Sequence, residues 1–388
     1  MTTSAGSPAR PPLWRNVRVL SWAFQLVVFA LVAAVLLWLW GNYRENVASS
    51  GIPTDFGFLD NPANFEIPGN DFNQRQPVRD VYFEGFVNTL RVSVVGIVLA
   101  TVLGTLIGIA RLSTNWVVRR ISTVYVEVIR NVPLLILLTF VFLGVVLQAL
   151  PTIQAAWVPA GVMVLSNRGI GVPWYQDGSG YQLALLALVG LTGWWLIARW
   201  RTAASERTGT PSHAGLLGGG FFVAVTVIGW IALGFSLTTP EVTGRQITGG
   251  IRVDPSYFAL LIALVVYTAS HIAEIVRGSI QAVPRGQDEA AQALALSPFQ
   301  RMWNVVLPQA MRIAIPPLGN QYLNLIKNSS LGAGFAYFEL TNVTRVSVGN
   351  GSPAVPAFTL TLAIYVGLSL LTSLLVNIAN RRFELVER

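Results

Sequence analysis

Apolar runs of about 20 residues, enough for a helix to cross a hydrocarbon core of about 30 Å, recur along the chain. They occupy residues 20–40, 87–110, 133–150, 181–200, 216–237, 257–276 and 356–379. A poorer run at 313–333 holds Pro316, Pro317 and many polar groups. Together they predict an all-α polytopic membrane protein with about eight transmembrane helices. The first run is longer than the apolar core of a signal peptide, and no A-x-A cleavage site follows it, so it reads as a retained helix.

The polar segments between the runs differ in texture. Residues 41–83 are rich in Asn, Asp, Pro and Phe and read as a folded or draped external loop. Segments 151–180 and 238–256 carry Gly-Ser, Pro-Trp and Thr-Gly turn signals, and 203–220 reads as a Ser/Thr/Gly linker. Arginine sets the orientation. With the N-terminus in the cytoplasm, Arg10, Arg15, Arg18, Arg111, Arg119, Arg120, Arg199, Arg201 and Arg207 lie inside, as do Arg277, Arg285, Arg301, Arg312, Arg381, Arg382 and Arg388. Only Arg44, Arg75, Arg79, Arg168, Arg245, Arg252 and Arg345 lie outside. Both termini are then cytoplasmic, which fits an even number of crossings.

Composition agrees with a chain that hides from water: 53% of residues are hydrophobic and 11% charged. A soluble chain carries about 25% charge. The net charge of +8 is spread over scattered arginines, with no stripe to track a nucleic-acid backbone. With no cysteine there is no thiolate chemistry. The single lysine, Lys327, follows Ile326, so no P-loop is present. The two histidines, His213 and His271, leave no metal motif, and no cofactor is called for. Glu84, Glu127, Glu274 and Glu339 sit near predicted helix ends, where interfacial anchoring competes with proton transfer.

The richest stretch is the inside segment 277–312. Gly286 allows a turn; Asp288 and Glu289 then place negative charge at the positive end of a helix built from Ala290, Ala291, Gln292, Ala293, Leu294, Ala295 and Leu296. Pro298 predicts that this helix ends near Ser297. A second helix starts near Phe299, with Phe299, Met302, Trp303, Val306 and Leu307 on one face, until Pro308 interrupts it. One ordinary amphipathic surface helix is the alternative.

The sequence Glu289-Ala290-Ala291, with Leu294, Ser297 and Val306-Leu307-Pro308-Gln309-Ala310, resembles the E-A-A loop of permease subunits in bacterial ATP-binding-cassette importers. The match continues through Ala273-Glu274-Ile275-Val276-Arg277-Gly278, Gly286-Gln287, Pro316, Asn320 and Lys327-Asn328-Ser329-Ser330-Leu331. Asn88-Thr89-Leu90 through Gly104, Gly108 and Arg111, and Tyr125 through Leu134, also look like the polar amino-acid uptake family. Ala295 stands where that family has glycine; alanine resists the left-handed turn, which moves the expected break to Ser297-Pro298. The extra N-terminal helix and long insertion resemble the general L-amino-acid permeases for glutamate, glutamine, aspartate and asparagine.

The resemblance implies a type I importer on the bacterial inner membrane: two permease subunits, the second a related or an identical chain, cytoplasmic ATPases, and a periplasmic solute-binding protein. The chain then divides into a cytoplasmic tail (1–19), an extra helix (20–40), a periplasmic loop (41–85), a first core part (86–150), an insertion with two helices (151–256), a second core part (257–382) and a tail (383–388). Glu289, Ala290, Ala291, Leu294, Ala295 and Ser297 would meet the ATPase. Glu274, Arg277 and Gly286 would brace the loop, though the ion pair also reads as a bland interfacial one. Asn320, Asn324, Lys327, Asn328, Ser329 and Ser330 are candidates for lining the pathway, since a lipid-facing helix cannot leave them unpaired. Lys327 either attracts a substrate carboxylate or ties down a carbonyl or an acid. The implied subunit is not itself an enzyme and binds no nucleic acid; its partners are those proteins, the amino acid and membrane lipid. A self-contained secondary carrier or channel is the rival reading.

Overall fold

Five of the seven clear apolar runs become helices longer than the runs themselves, and 133–150 and 216–237 become shorter ones. A computed structural model describes residues 16–51, 53–67, 72–175, 180–208, 213–234 and 237–383. Residues 1–15 of the first tail, with Arg10 and Arg15, and 384–388 of the last, with Arg388, lie outside the described residues, as do 209–212 of the expected linker. The helices are α1 (Val17–Ser50), α2 (Val78–Ala110), α3 (Trp116–Asn131), α4 (Leu134–Thr139, continued by a π-helical stretch, Phe140–Ala149), α5 (Gly180–Thr208), α6 (Ala214–Ala232), α7 (Pro255–Gln281), α8 (Arg285–Ala293), α9 (Pro298–Arg301), α10 (Leu307–Asn328), α11 (Leu340–Gly349) and α12 (Ala354–Phe383).

Among the described residues α1, α2, α5, α6, α7 and α12 are long and apolar enough to cross a membrane. α3 and α4 with its π-helical stretch are long and apolar enough only when taken together, and they are bent by 105° at Val132 and Pro133. The weakest expected crossing, 313–333, falls on α10, a helix of 22 residues whose polar side chains set it apart from the other spans. Pro316 and Pro317 do not break it, and Pro308 opens it rather than ending a helix. α10 packs against α2, α7 and α12 and stays helical through both prolines, while Pro316 itself stays on its exposed face.

The core lies where α2, α7 and α10 meet. Val92, Ala100, Leu260, Leu264, Ile272, Leu318 and Leu325 are buried there with Leu138 and Val141 of the α4 segment. Gly104 and Gly108 of α2 lie against α7, where an added Cβ would stand 2.8 Å from the carbonyl oxygens of Ala269 and Ala273. The Thr101 hydroxyl meets the Tyr322 hydroxyl at 3.1 Å, tying α2 to α10. A second cluster explains the Phe-rich texture of the first outer segment: Phe58, Ile67 and Phe72 pack with Val81, Tyr82, Leu340, Val343 and Ala357.

The insertion holds its two expected helices, α5 and α6, and adds short strands that the sequence did not announce. Its turn-rich ends form short strands: β1 (Val164–Ser166), β2 (Gly169–Val172), β3 (Trp174–Tyr175), β4 (Leu237–Thr238), β5 (Glu241–Thr243), β6 (Gln246–Thr248) and β7 (Ile251–Val253). Antiparallel pairing of β2 with β7 draws its two ends together beside the start of α7. Strands of two to four residues are too short for alternation to announce them. α5 and α6 pack on each other, whereas no residue in the apolar window of α1 is buried.

Candidate functional site

The loop after α7 folds by local chemistry. α8 starts at Arg285 after Pro284 and ends at Ala293. The Ala295 N–H donates to the Gln292 oxygen at 2.9 Å, and the Leu296 N–H to the Ala291 oxygen at 3.3 Å. That is a Schellman closure, and Ala295 takes its left-handed position at φ 55°. The break therefore falls at Ala295 and not at Ser297-Pro298, because two helix-terminal carbonyls gain partners there. Ser297 instead caps α9 in a capping box with Gln300. Gly286 is also corrected: it lies inside α8 in open space, and the turn before it is made by Ala282–Pro284.

Holding an alanine in this conformation costs about 1 kcal/mol relative to glycine. Ala295→Gly is expected to slow hydrogen exchange of the α8 amides about twofold, the remainder being offset by the freer unfolded chain. Faster exchange would refute the strain at Ala295.

Two ties make the loop one body. Arg301 meets Asp288 at 3.0 Å, joining α9 to α8, and Val283, Val306 and Ala310 form a small core with Ile280. α9 does not stop at Pro308, since a π-helical stretch, Met302–Val306, carries it into α10. Ala291 is buried at 3% exposure, which removes it from the expected contact surface. Glu289, Ala290, Leu294, Ala295 and Ser297 face outward, Leu294 at 76% exposure. Phe299 and Trp303 stack in parallel and, with Met302, stay exposed, so most of the apolar stripe expected on the second helix finds no cover in this chain.

Immediately above the loop, Glu274 is the hub of a charge cluster. It accepts from Arg277 one turn along α7 and from Arg111 beyond the end of α2. Arg130, in the last turn of α3, lies 3.8 Å away. Arg277 also donates to Gln281 at 2.6 Å, one turn before the loop begins. The pair expected from spacing is thus one edge of a three-helix clasp. Arg111 and Arg130 carry no local signal of this role, because their partner is more than 140 residues away. Glu339 is no interfacial anchor either. It is wholly buried, caps α11 by accepting from the Thr341 and Asn342 amides at 2.8 Å, and accepts from the Tyr365 hydroxyl at 2.7 Å. Burial pushes its carboxyl up to about 6.

On α10 the expected pathway residues separate by face. Asn320, Asn324 and Lys327 are exposed, spaced i, i+4, i+7, and continue the line of Ile313 and Pro316. Asn328 and Ser330 are half-buried. Ser329 leaves the set: it is buried, and its hydroxyl donates to the Ile326 oxygen at 2.7 Å. Lys327 has no acidic partner among the described residues, so the structural tie to an acid is not made. No cluster of three metal-ligating side chains occurs among the described residues.

Comparison with known proteins places this arrangement. Residues 96–385 match the family described as binding-protein-dependent transport system inner membrane component. The general L-amino acid transport system permease protein AapQ of Rhizobium johnstonii is 39% identical over 370 residues, covering 94% of this chain and 92% of that one. The glutamate/glutamine/aspartate/asparagine transport system permease protein BztB of Rhodobacter capsulatus is 36% identical over 416 residues, covering 96% of each.

Proposed function

This chain belongs to the family of binding-protein-dependent transport system inner membrane components, and from that premise we propose that it is the membrane-spanning subunit of an ATP-driven amino-acid importer, coupled to its motor through α8. The observation that carries this reading is the outward set Glu289, Ala290 and Leu294 on a short helix braced from behind. With no P-loop in the sequence, work must arrive through a contact, and this is the loop built to receive one. The partners are separate cytoplasmic ATPase subunits, a solute-binding protein outside, and a second permease chain. That second chain is a related or an identical one, and both termini lie in the cytoplasm, as the arginine bias has it.

The exposed stripe of α10 faces the space between the two permease chains. Lys327 lies about 22 Å of helix rise beyond Arg312, past the bilayer midplane. A lone ammonium among asparagine amides suits a solute that carries a carboxylate and polar groups, hence broad-specificity polar and acidic L-amino acids. The rival carrier needs a mid-membrane acid. Glu274 is held by arginines, and Glu339 is enclosed as a helix cap, so neither faces a pathway.

In vesicles carrying the whole importer, Lys327→Met is expected to raise the KM for glutamate about tenfold, the loss of one charge-assisted hydrogen bond. An unchanged KM would remove Lys327 from the pathway. Competition of labelled glutamate uptake by a panel of amino acids tests the substrate class: no competition by glutamine, aspartate or asparagine would reject broad specificity. Uphill uptake by the purified chain alone would reject the importer itself.

A further inference from the structure

α3 carries a feature that neither the coupling loop nor the pathway uses. It has three faces. Ser122 and Val126 are buried against the bundle, and the Tyr125 hydroxyl donates to the Val266 oxygen of α7 at 2.6 Å. Val117, Ile121, Val124 and Val128 form a second face, spaced i, i+4, i+7, i+11, with exposures between 45% and 67%. Arg119, Arg120, Glu127 and Arg130 make the third, all exposed. The bundle takes the first face; the other two remain, one apolar and one charged.

The direction of α3 is set by its neighbours. The chain leaves α2 at Arg111 and comes back to Arg130, and both side chains reach Glu274. α3 thus ends at the level where α2 ends, near the inner end of α7. It then turns by 105° into the α4 segment, which packs along the spanning helix α7. A helix nearly perpendicular to a spanning one lies in the plane of the membrane. Apolar residues on one exposed flank and arginines on the next suit the boundary between acyl chains and headgroups. The Arg119 guanidinium donates to the Ser113 oxygen at 3.0 Å and has further N–H groups to give. Arg120 is fully available, and Glu127 is the one acid on that face.

We propose that α3 is an in-plane helix at the inner membrane surface, with Val117, Ile121, Val124 and Val128 in the acyl region and Arg119 and Arg120 on the phosphates of anionic lipids. Charge complementarity selects the lipid: the inner leaflet is negative, and each surface arginine adds to its attraction. Arg130 closes the same face onto Glu274, so the lipid-bearing helix and the helix that leads into α8 share one ion cluster.

The absence of cysteine makes the test direct, because one introduced cysteine takes one spin label. Val117→Cys, Ile121→Cys, Glu127→Cys and Val128→Cys are labelled in the whole importer, in vesicles of phosphatidylcholine with phosphatidylglycerol. Labels at 117 and 128 are expected at equal depth, whereas a helix that crosses would separate them by about 16 Å. Labels at 117, 121 and 128 should collide with lipid-dissolved oxygen, and the label at 127 with a water-soluble nickel chelate. Labels shielded from both reagents would mean that another protein covers the face, and that overturns the proposal, as would a depth difference near the crossing value. For the headgroups, Arg119→Gln with Arg120→Gln should lower the preference of the importer for spin-labelled phosphatidylglycerol over phosphatidylcholine about fivefold per arginine. An unchanged preference overturns the assignment of anionic lipid.

Discussion

Leu294→Asp is expected to cut amino-acid uptake by the assembled importer about 100-fold while the chain still inserts and packs. Leu294 closes α8 and is 76% exposed in the isolated chain. An apolar side chain held out on a braced helix end is placed to fill a desolvated pocket at the centre of a contact, where truncation costs most. Aspartate there would carry an unpaired charge into a closed cleft, a cost that falls on docking and not on folding. Co-purification of the ATPase subunits with tagged permease should fall with uptake. Retained uptake and retained ATPase would overturn the coupling role. Ala291→Asp makes the contrast. That side chain is 3% exposed on the inner side of α8, which packs on the Met302–Val306 stretch. It should lower the melting temperature as well as the uptake, so the two variants separate docking from folding.

Gly104→Leu is expected to disrupt the transmembrane bundle itself. A Cβ at this position lies 2.7 Å from the Ile272 Cβ and 2.8 Å from the Ala269 carbonyl oxygen. One of these neighbours is backbone and cannot rotate away, so α2 must move off α7. Overpacking of this kind costs about 1–3 kcal/mol where the surroundings can yield, and more where they cannot. The purified variant should lose its sharp size-exclusion peak or melt well below the parent. Gly367→Leu, on α12 with open space around it, should leave both unchanged. Equal behaviour of the two variants would show that the α2–α7 contact is looser than these distances require.

Part of the site is legible in the residues alone. Glycine at 104 and again at 108 announces a close helix contact, because a four-residue period keeps both on one side of a helix. The segment 277–312 announces two short helices, because alanines favour the first and the apolar spacing from Phe299 marks the second. The break between them falls earlier than Pro298 suggests. Alanine is intrinsically reluctant to take φ above zero, yet the Schellman bonds of Ala295 and Leu296 outweigh that reluctance. Likewise Pro316 and Pro317 mark an interruption in α10 that the surrounding helices suppress.

The sequence by itself determined that this protein crosses a membrane many times and carries two short helices in the segment 277–312. A hydrocarbon layer demands apolar runs of fixed length, and helix caps act over three or four residues, so both are written locally. Only the tertiary structure decided which side of α8 is free, that Glu274 gathers Arg111, Arg130 and Arg277 from three parts of the chain, that Ser329 turns inward while Lys327 has no acid among the described residues, and that α3 meets the α4 segment at 105°. Each of these depends on what packs against a given face, and that is set by residues far along the chain, beyond the reach of any local period.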